Sequence, residues 1–227
     1  LQQGRIHCPG AGVYARSASL VKVSGHYSMP ELPFSQACEN NKAPILAVLE
    51  RVFADCQTVL EIASGTGQHA TWFARHLPHL RWQPTEMQGG LATLRPRCEL
   101  SLAVNLLPPL PLDVCERPWQ PGTLPDALFT ANSLHIMPWH AVCQLFAELA
   151  EKAMPGTLLA VYGPFNYGGQ YTSDSNAGFD EWLAQRNPAS AIRDFEKVDA
   201  LARDAGFELE EDNAMPANNR LLVWRRA

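Results

Sequence analysis

From residue 35 onward the apolar positions follow two rhythms that alternate along the chain. Between Ser35 and Phe53, the residues Ile45, Leu46, Val48, Leu49, Val52 and Phe53 recur at helical spacing. Pro44 is expected near the first turn of the main helical segment, where a missing N–H costs nothing. Thr58–Ala63 (TVLEIA) is a short β-rich run that ends in the glycine loop Ser64-Gly65-Thr66-Gly67. Helical spacing resumes over Gln68–Leu77 and stops before Pro78. Leu80–Thr85 reads as a second strand, followed by a weak helix over Gly90–Cys98, a third strand over Leu110–Val114 and a fourth over Ala127–Ala131. Trp139–Ala153 is an amphipathic helix closed by Met154-Pro155-Gly156, and Thr157–Tyr162 is a fifth strand. The polar stretch from Gly163 to Asn176 is too long for an ordinary connection and is read as a candidate active-site loop. Val198–Ala205 is a helix that ends at Gly206. Phe207–Asp212 and Leu221–Trp224 are two closing strands joined by residues 213–220.

Strands that alternate with helices predict an α/β fold with a parallel sheet covered on both faces. The last two strands follow one another without a helix and are expected to pair antiparallel at one edge. The predicted architecture is therefore a doubly wound, mainly parallel, seven-stranded Rossmann-like sheet with an antiparallel C-terminal strand. Residues 1–28 carry Arg5, Arg16 and Lys22, no acidic residue and no convincing period. They are set apart as an N-terminal extension, a leader or an appended stretch, with a transit peptide as the weaker alternative. Residues 29–227 form the expected domain.

Composition narrows the function. At 46% hydrophobic the chain can bury a real core, which excludes global disorder. Its formal charge of −5, with no Lys/Arg block, lacks the footprint of a nucleic-acid or anionic-membrane binder. No apolar run approaches the roughly 20 residues that a membrane span needs. The six cysteines are scattered without a C-x-x-C pair, as expected of free thiols in a reducing, cytoplasmic setting. The histidines form no ligand cluster, so no metal site is expected.

The chemistry concentrates at Glu61-Ile62-Ala63-Ser64-Gly65-Thr66-Gly67. Glycines between a buried strand and a helix let backbone approach a ligand closely. Gly65-x-Gly67-x-x-Ala70 also satisfies the weak dinucleotide fingerprint. Glu61 separates the two readings, because a carboxylate aimed at the loop repels a pyrophosphate but suits an ammonium and a sulfonium. Glu86, with Met87 after it, ends the second strand where a carboxylate can accept both ribose hydroxyls. Asp113, with Val114 after it, ends the third strand and could accept an adenine amino group. The structural alternatives are a helix cap at Glu61, a solvated loop residue at Glu86 and a turn at Asp113.

Taken together, FSQACENNKAPIL (34–46), VLEIASGTGQHA (59–70), WQPTE (82–86), LDV (112–114), ANSLHIMPW (131–139), YGPF (162–165), SNAGFD (175–180), IRD (192–194) and MPANN (215–219) resemble the domain of unknown function 938, or methyltransferase-like protein 26, family. The resemblance runs from about Phe34 to Arg225. Members are homologues of class I S-adenosylmethionine-dependent methyltransferases. It implies that fold and that cofactor, released as S-adenosylhomocysteine, and leaves the acceptor open. This chain departs from the general pattern at Ala63, where glycine is usual, and at Glu86, where the family usually has aspartate.

The implied cofactor-binding set is Glu61, Ala63, Ser64, Gly65, Thr66, Gly67, Glu86, Met87, Asp113, Val114 and Asn132. His135 is placed to act as a base or to orient the acceptor, against packing at the strand end. Tyr162 lines the acceptor pocket or anchors the following loop. Glu39, Asn41 and Lys42 form a lid over the cofactor, or Asn40 or Asn41 caps the helix. Arg193 either pairs with Asp194 or faces the pocket, where it would favour a carboxylate or phosphate. Asn218 belongs to the substrate side or only to a turn, while His69 and Trp72 are read as packing residues. The signature of nucleic-acid amino methyltransferases is absent, since Asn132-Ser133-Leu134-His135 stands in its place. The expected partner is therefore a small molecule, with no nucleic acid and no membrane, and the expected state is a monomer or homodimer. A non-catalytic S-adenosylmethionine-binding protein and an NAD(P)-dependent oxidoreductase are the competing functions.

Overall fold

A computed structural model describes residues 21–23, 26–28, 32–119 and 124–227. The chain divides into Leu1–Glu31 and Leu32–Ala227. In the first unit, β1 (Val21–Val23) pairs antiparallel with β2 (His26–Ser28). The rest of the predicted extension lies outside the described residues.

In the second unit, α1 (Gln36–Val52) begins at Ser35, whose side chain accepts from the Cys38 N–H. Ser35 is thus the cap that the sequence reading sought at Asn40 or Asn41. Pro44 sits well inside this helix rather than in its first turn. β3 (Thr58–Ile62), α2 (Gln68–His76), β4 (Arg81–Glu86), α3 (Leu91–Glu99) and the two-residue β5 (Leu110–Pro111) follow. Then come β6 (Ala127–Ala131), α4 (Trp139–Lys152), β7 (Leu158–Asn166), α5 (Asp174–Arg186), β8 (Arg193–Asp194), α6 (Phe195–Asp204), β9 (Phe207–Met215) and β10 (Asn219–Arg226).

The strand order is β5-β4-β3-β6-β7-β10-β9, with β8 attached to β7. All pairings from β5 to β8 are parallel, while β10 runs antiparallel to both β7 and β9. The chain winds outward from β3 to β5 and returns to β6 on the other side. The order therefore reverses between β3 and β6, which opens a crevice beyond the carboxyl ends of those two strands.

Both faces of the sheet are covered. On one, Ile45 and Leu49 of α1 and Phe73 of α2 pack with Trp82 and Phe129. The rings of Phe73, Trp82 and Phe129 lie 5.4 to 5.9 Å apart, centroid to centroid, and burying each contributes roughly 1.5–3 kcal/mol. On the other, Val142, Phe146 and Leu149 of α4 and Val198 of α6 meet Leu128, Leu159 and Trp224. Asp126 Oδ2 fastens the two central strands at their starts by accepting from the Gln57 and Thr58 N–H groups at 2.8 and 2.9 Å.

The expected loop over 163–176 is shorter in the structure. β7 runs on to Asn166, and α5 begins at Asp174 behind the Ser173 cap. Gly163 and Pro164, which ordinarily interrupt strands, masked the strand end, and a weakly amphipathic sequence hid the helix. The third strand shrinks to Leu110–Pro111 because Asp113 already turns the chain, its Oδ1 accepting from Cys115 N–H at 2.9 Å.

Candidate functional site

The carboxyl end of β3 leads into three left-handed residues: Ala63 (φ 57°), Gly65 (φ 56°) and Gly67 (φ 76°). Gly67 is required twice over, since a Cβ there would also lie 2.8 Å from Leu94 Cδ1. Next to Gly65 there is only open space, so its backbone stays accessible. On the neighbouring β6, Asn132 is also left-handed (φ 55°), and its N–H donates to Tyr162 O at 2.9 Å. The two turns diverge, and a cavity of about 480 Å³ opens between them.

Of the residues expected to hold a cofactor, Ala63, Glu86, Met87, Asp113, Val114 and Asn132 line this cavity. Glu86 and Asp113 stand at its rim. Glu86 Oε2 accepts from Gly65 N–H at 2.8 Å and Oε1 from Met87 N–H at 2.9 Å, so the carboxylate is held in place by backbone. Gly90 makes room for it, since a Cβ there would come within 2.5 Å of Glu86 Cγ. Among the described residues, no Lys or Arg lines the cleft. Ser133, Ile136 and Met137 complete one wall. They lie one turn beyond β6, inside the segment ANSLHIMPW that carries part of the family resemblance, but no period assigned them a role.

Glu61 stands elsewhere. Side chains alternate along a strand, and Ile62 faces the cleft, so Glu61 points to the opposite face among the residues of α1 and α2. It is buried, and its carboxylate accepts from Trp82 Nε1 at 2.8 Å. Burial raises its pKa to about 7, against the opposing bonds from Trp82 and Ser64. This carboxylate, expected against the ligand, sits behind the glycine loop and outside the cleft lining. Ser64 also turns inward, its hydroxyl accepting from Thr85 N–H at 3.2 Å. Thr66 donates to Gln68 Oε1 at 3.1 Å, which ties the loop to α2.

The α1 residues do not reach the cleft. Glu39 pairs with Lys42, whose ammonium lies 4.1 Å from the centre of the Trp72 ring. Asn41 is buried and meets His69 Nε2 through its Oδ1 at 2.7 Å. Burial, partly offset by the neighbouring Asn41, raises the pKa of the Tyr162 phenol. His69 therefore belongs to a polar cluster within the aromatic core and is more than a packing residue. Its ring stacks on Phe73 at 5.2 Å, and burial lowers its pKa to about 4.

His135 is buried between β7 and α5. Its Nδ1 lies 3.5 Å from the position a Cβ on Gly163 would take, and its ring meets Phe179 edge-on at 5.4 Å. Burial first, and the Arg193 charge second, bring its pKa down to about 4. Arg193 forms no ion pair with Asp194, which is bridged by Lys197. The Arg193 guanidinium donates instead to the carbonyls of Leu134, Met137 and Ala189. Its Nε and one Nη nitrogen are thus committed to backbone, and it does not line the cleft. Asn218, left-handed at φ 57°, holds the β9–β10 turn to the start of α5 through Ser175 Oγ at 3.3 Å.

The family model described as "Protein of unknown function (DUF938)" matches residues 32–226. An O-methyltransferase family protein from Burkholderia thailandensis superposes with a TM-score of 0.72 at 18% identity, over 82% of this chain and 56% of that one. Human N-acetylserotonin methyltransferase, solved in complex with SAM, gives 0.70 at 13% identity, over 85% and 53%. The O-methyltransferase NcsB1 from neocarzinostatin biosynthesis, solved with S-adenosylmethionine and 2-hydroxy-5-methyl naphthoic acid, gives 0.68 at 14%, over 84% and 55%. The chain thus spans a little over half the length of these proteins and shares their fold.

Proposed function

Because the chain belongs to the DUF938 family and sets two carboxylates around a cleft at the carboxyl ends of its parallel strands, we propose that it is an S-adenosylmethionine-dependent methyltransferase acting on a small-molecule acceptor. One observation carries this reading: Glu86 and Asp113 face the cleft, and no cationic side chain among its described lining offsets them. A dinucleotide would bring its pyrophosphate to an acidic rim, whereas a nucleoside with a sulfonium and an ammonium suits one.

The residues present fit such a ligand. Each Glu86 oxygen takes one backbone N–H, and an ionised carboxylate has lone pairs left for two ribose hydroxyls. Asp113 keeps its second oxygen for an exocyclic amine, while Met87, Val114, Ile136 and Met137 offer apolar surface to a flat base. When bound, S-adenosylmethionine supplies an electrophilic methyl group. The protein's share is alignment of the acceptor and exclusion of water, and orientation of this kind supplies roughly 7–11 kcal/mol. Held near pKa 4, His135 is neutral at pH 7 and can accept a hydrogen bond from an acceptor group. Tyr162 stays protonated and can donate one.

A second reading, a protein that binds the donor without transferring its methyl, draws on the placement of His135 and Tyr162 outside the lining of the cleft. Calorimetric titration with S-adenosylmethionine, S-adenosylhomocysteine and NADH tests the assignment. The first two are expected to bind and NADH is not. Preference for NADH would overturn it. Production of S-adenosylhomocysteine in a small-metabolite extract separates the enzyme from the binder.

A further inference from the structure

The turn after β6 is held from outside by residues 189–193. Four successive carbonyls of that turn accept hydrogen bonds from this segment. Leu134 O takes Arg193 Nε at 2.9 Å, His135 O takes Ala191 N–H at 3.0 Å, Ile136 O takes Ser190 Oγ at 2.8 Å, and Met137 O takes the Arg193 guanidinium. The same guanidinium reaches back to Ala189 O at 3.1 Å, which closes the segment on itself. Asp180 of α5 then anchors it, accepting from Ile192 N–H at 2.5 Å and from the Tyr171 hydroxyl at 2.8 Å.

Arg193 is 8% exposed, and among the described residues it forms no ion pair. Burying a cation without a bonded carboxylate is costly, and here carbonyl dipoles and the nearby Asp180 charge offset the cost. The turn it grips has two sides. One faces Arg193 and Ser190; the other supplies Ser133, Ile136 and Met137 to the wall of the cleft. A backbone turn with four anchored carbonyls cannot rearrange one residue at a time, so the wall is built before any ligand arrives.

We propose that Arg193, assisted by Ser190, is a positioning residue for the methyl-donor cleft, fixing the wall formed by Ser133, Ile136 and Met137 from behind. This inference rests on the reading of the cleft as the donor site. It assigns Arg193 to donor affinity and removes it from acceptor recognition. Lysine at position 193 keeps the charge but can reach only one or two of the three carbonyls, so part of the protein would hold a misformed wall. Apparent affinity then falls with the competent fraction.

The test is calorimetric titration of S-adenosylhomocysteine into the wild-type protein and into the Arg193→Lys, Ser190→Ala and Val223→Ala variants, each with its thermal midpoint. Val223 lies in the sheet interior on β10, so its variant reports generic destabilisation. Arg193→Lys is expected to bind about tenfold or more weakly and Ser190→Ala about threefold, the scale of lost hydrogen bonds. Val223→Ala is expected to keep its affinity despite a lower midpoint. Should Arg193→Lys prove unstable, Ser190→Ala, which removes one hydroxyl, carries the comparison. Unchanged affinity in Arg193→Lys or, where that variant is unstable, in Ser190→Ala overturns the proposal, as does equal weakening in Val223→Ala. Failure of the wild-type protein to bind S-adenosylhomocysteine overturns the donor reading itself, and the positioning role with it.

Discussion

His69 Nε2 lies 2.7 Å from Asn41 Oδ1, which joins the first turn of α2 to the middle of α1 through two side chains that are each 5% exposed. The ring is stacked on Phe73, and burial holds its pKa near 4, against an ordinary value of 6.5. The unfolded chain therefore binds a proton that the folded one refuses between about pH 6.5 and pH 4. Stability from this group is complete above that window and declines as pH falls through it. From pH 7 to pH 5 the loss is about 2 kcal/mol. Glu61, with its pKa raised to about 7, titrates in the opposite sense over much of the same range. The comparison that isolates His69 is therefore against His69→Gln. Urea denaturation at the two pH values is expected to show the wild-type protein losing about 2 kcal/mol more than the variant. Equal losses would mean that the ring protonates freely in the folded state.

A donor deletion tests Glu61. Trp82→Phe keeps an aromatic ring, though a smaller one, in the cluster but removes the N–H that the buried carboxylate accepts. A hydrogen bond to a charged group is worth about 1.5–3 kcal/mol, so the variant should lose about 2 kcal/mol at pH 8 beyond the packing cost of the smaller ring. At pH 5 the folded-state carboxyl is protonated, because its raised pKa lies above that pH. The penalty there should be about 1–2 kcal/mol smaller than at pH 8, the cost of the smaller ring remaining the same at both. A penalty independent of pH would show that the indole contributes packing alone.

Space beside Glu86 gives a third test. Gly90 has an ordinary backbone (φ −89°, ψ −14°), so alanine is conformationally acceptable there. Its methyl group would nonetheless meet Glu86 Cγ at 2.5 Å and push the carboxylate off its two backbone donors. Gly90→Ala should therefore lower S-adenosylhomocysteine affinity about tenfold in calorimetry, the scale of a lost charge-assisted hydrogen bond, with the thermal midpoint nearly unchanged. Retained affinity would remove Glu86 from ribose recognition.

The parallel strands were legible because each is a short apolar run ending in turn chemistry, as in Thr58–Ile62 before the glycine loop. Glu86 and Asp113 were legible for the same reason, as the carboxylates that end their strands. What periodicity misled was direction: Glu61 belongs to the motif, but its place in the strand turns it away from the cleft. The tertiary bonds of Arg193 and Asn41 left no trace at all. Each joins residues 28 or more positions apart through side-chain and backbone atoms that no local pattern records.

The sheet order has a consequence for synthesis. β10 lies between β7 and β9, and Leu221 to Trp224 are fully buried there. Of the sheet's strands it is the last to leave the ribosome, yet β9 can join only through it. The nascent chain must therefore wait with the β7 edge unpaired, a template for aggregation until that final segment docks.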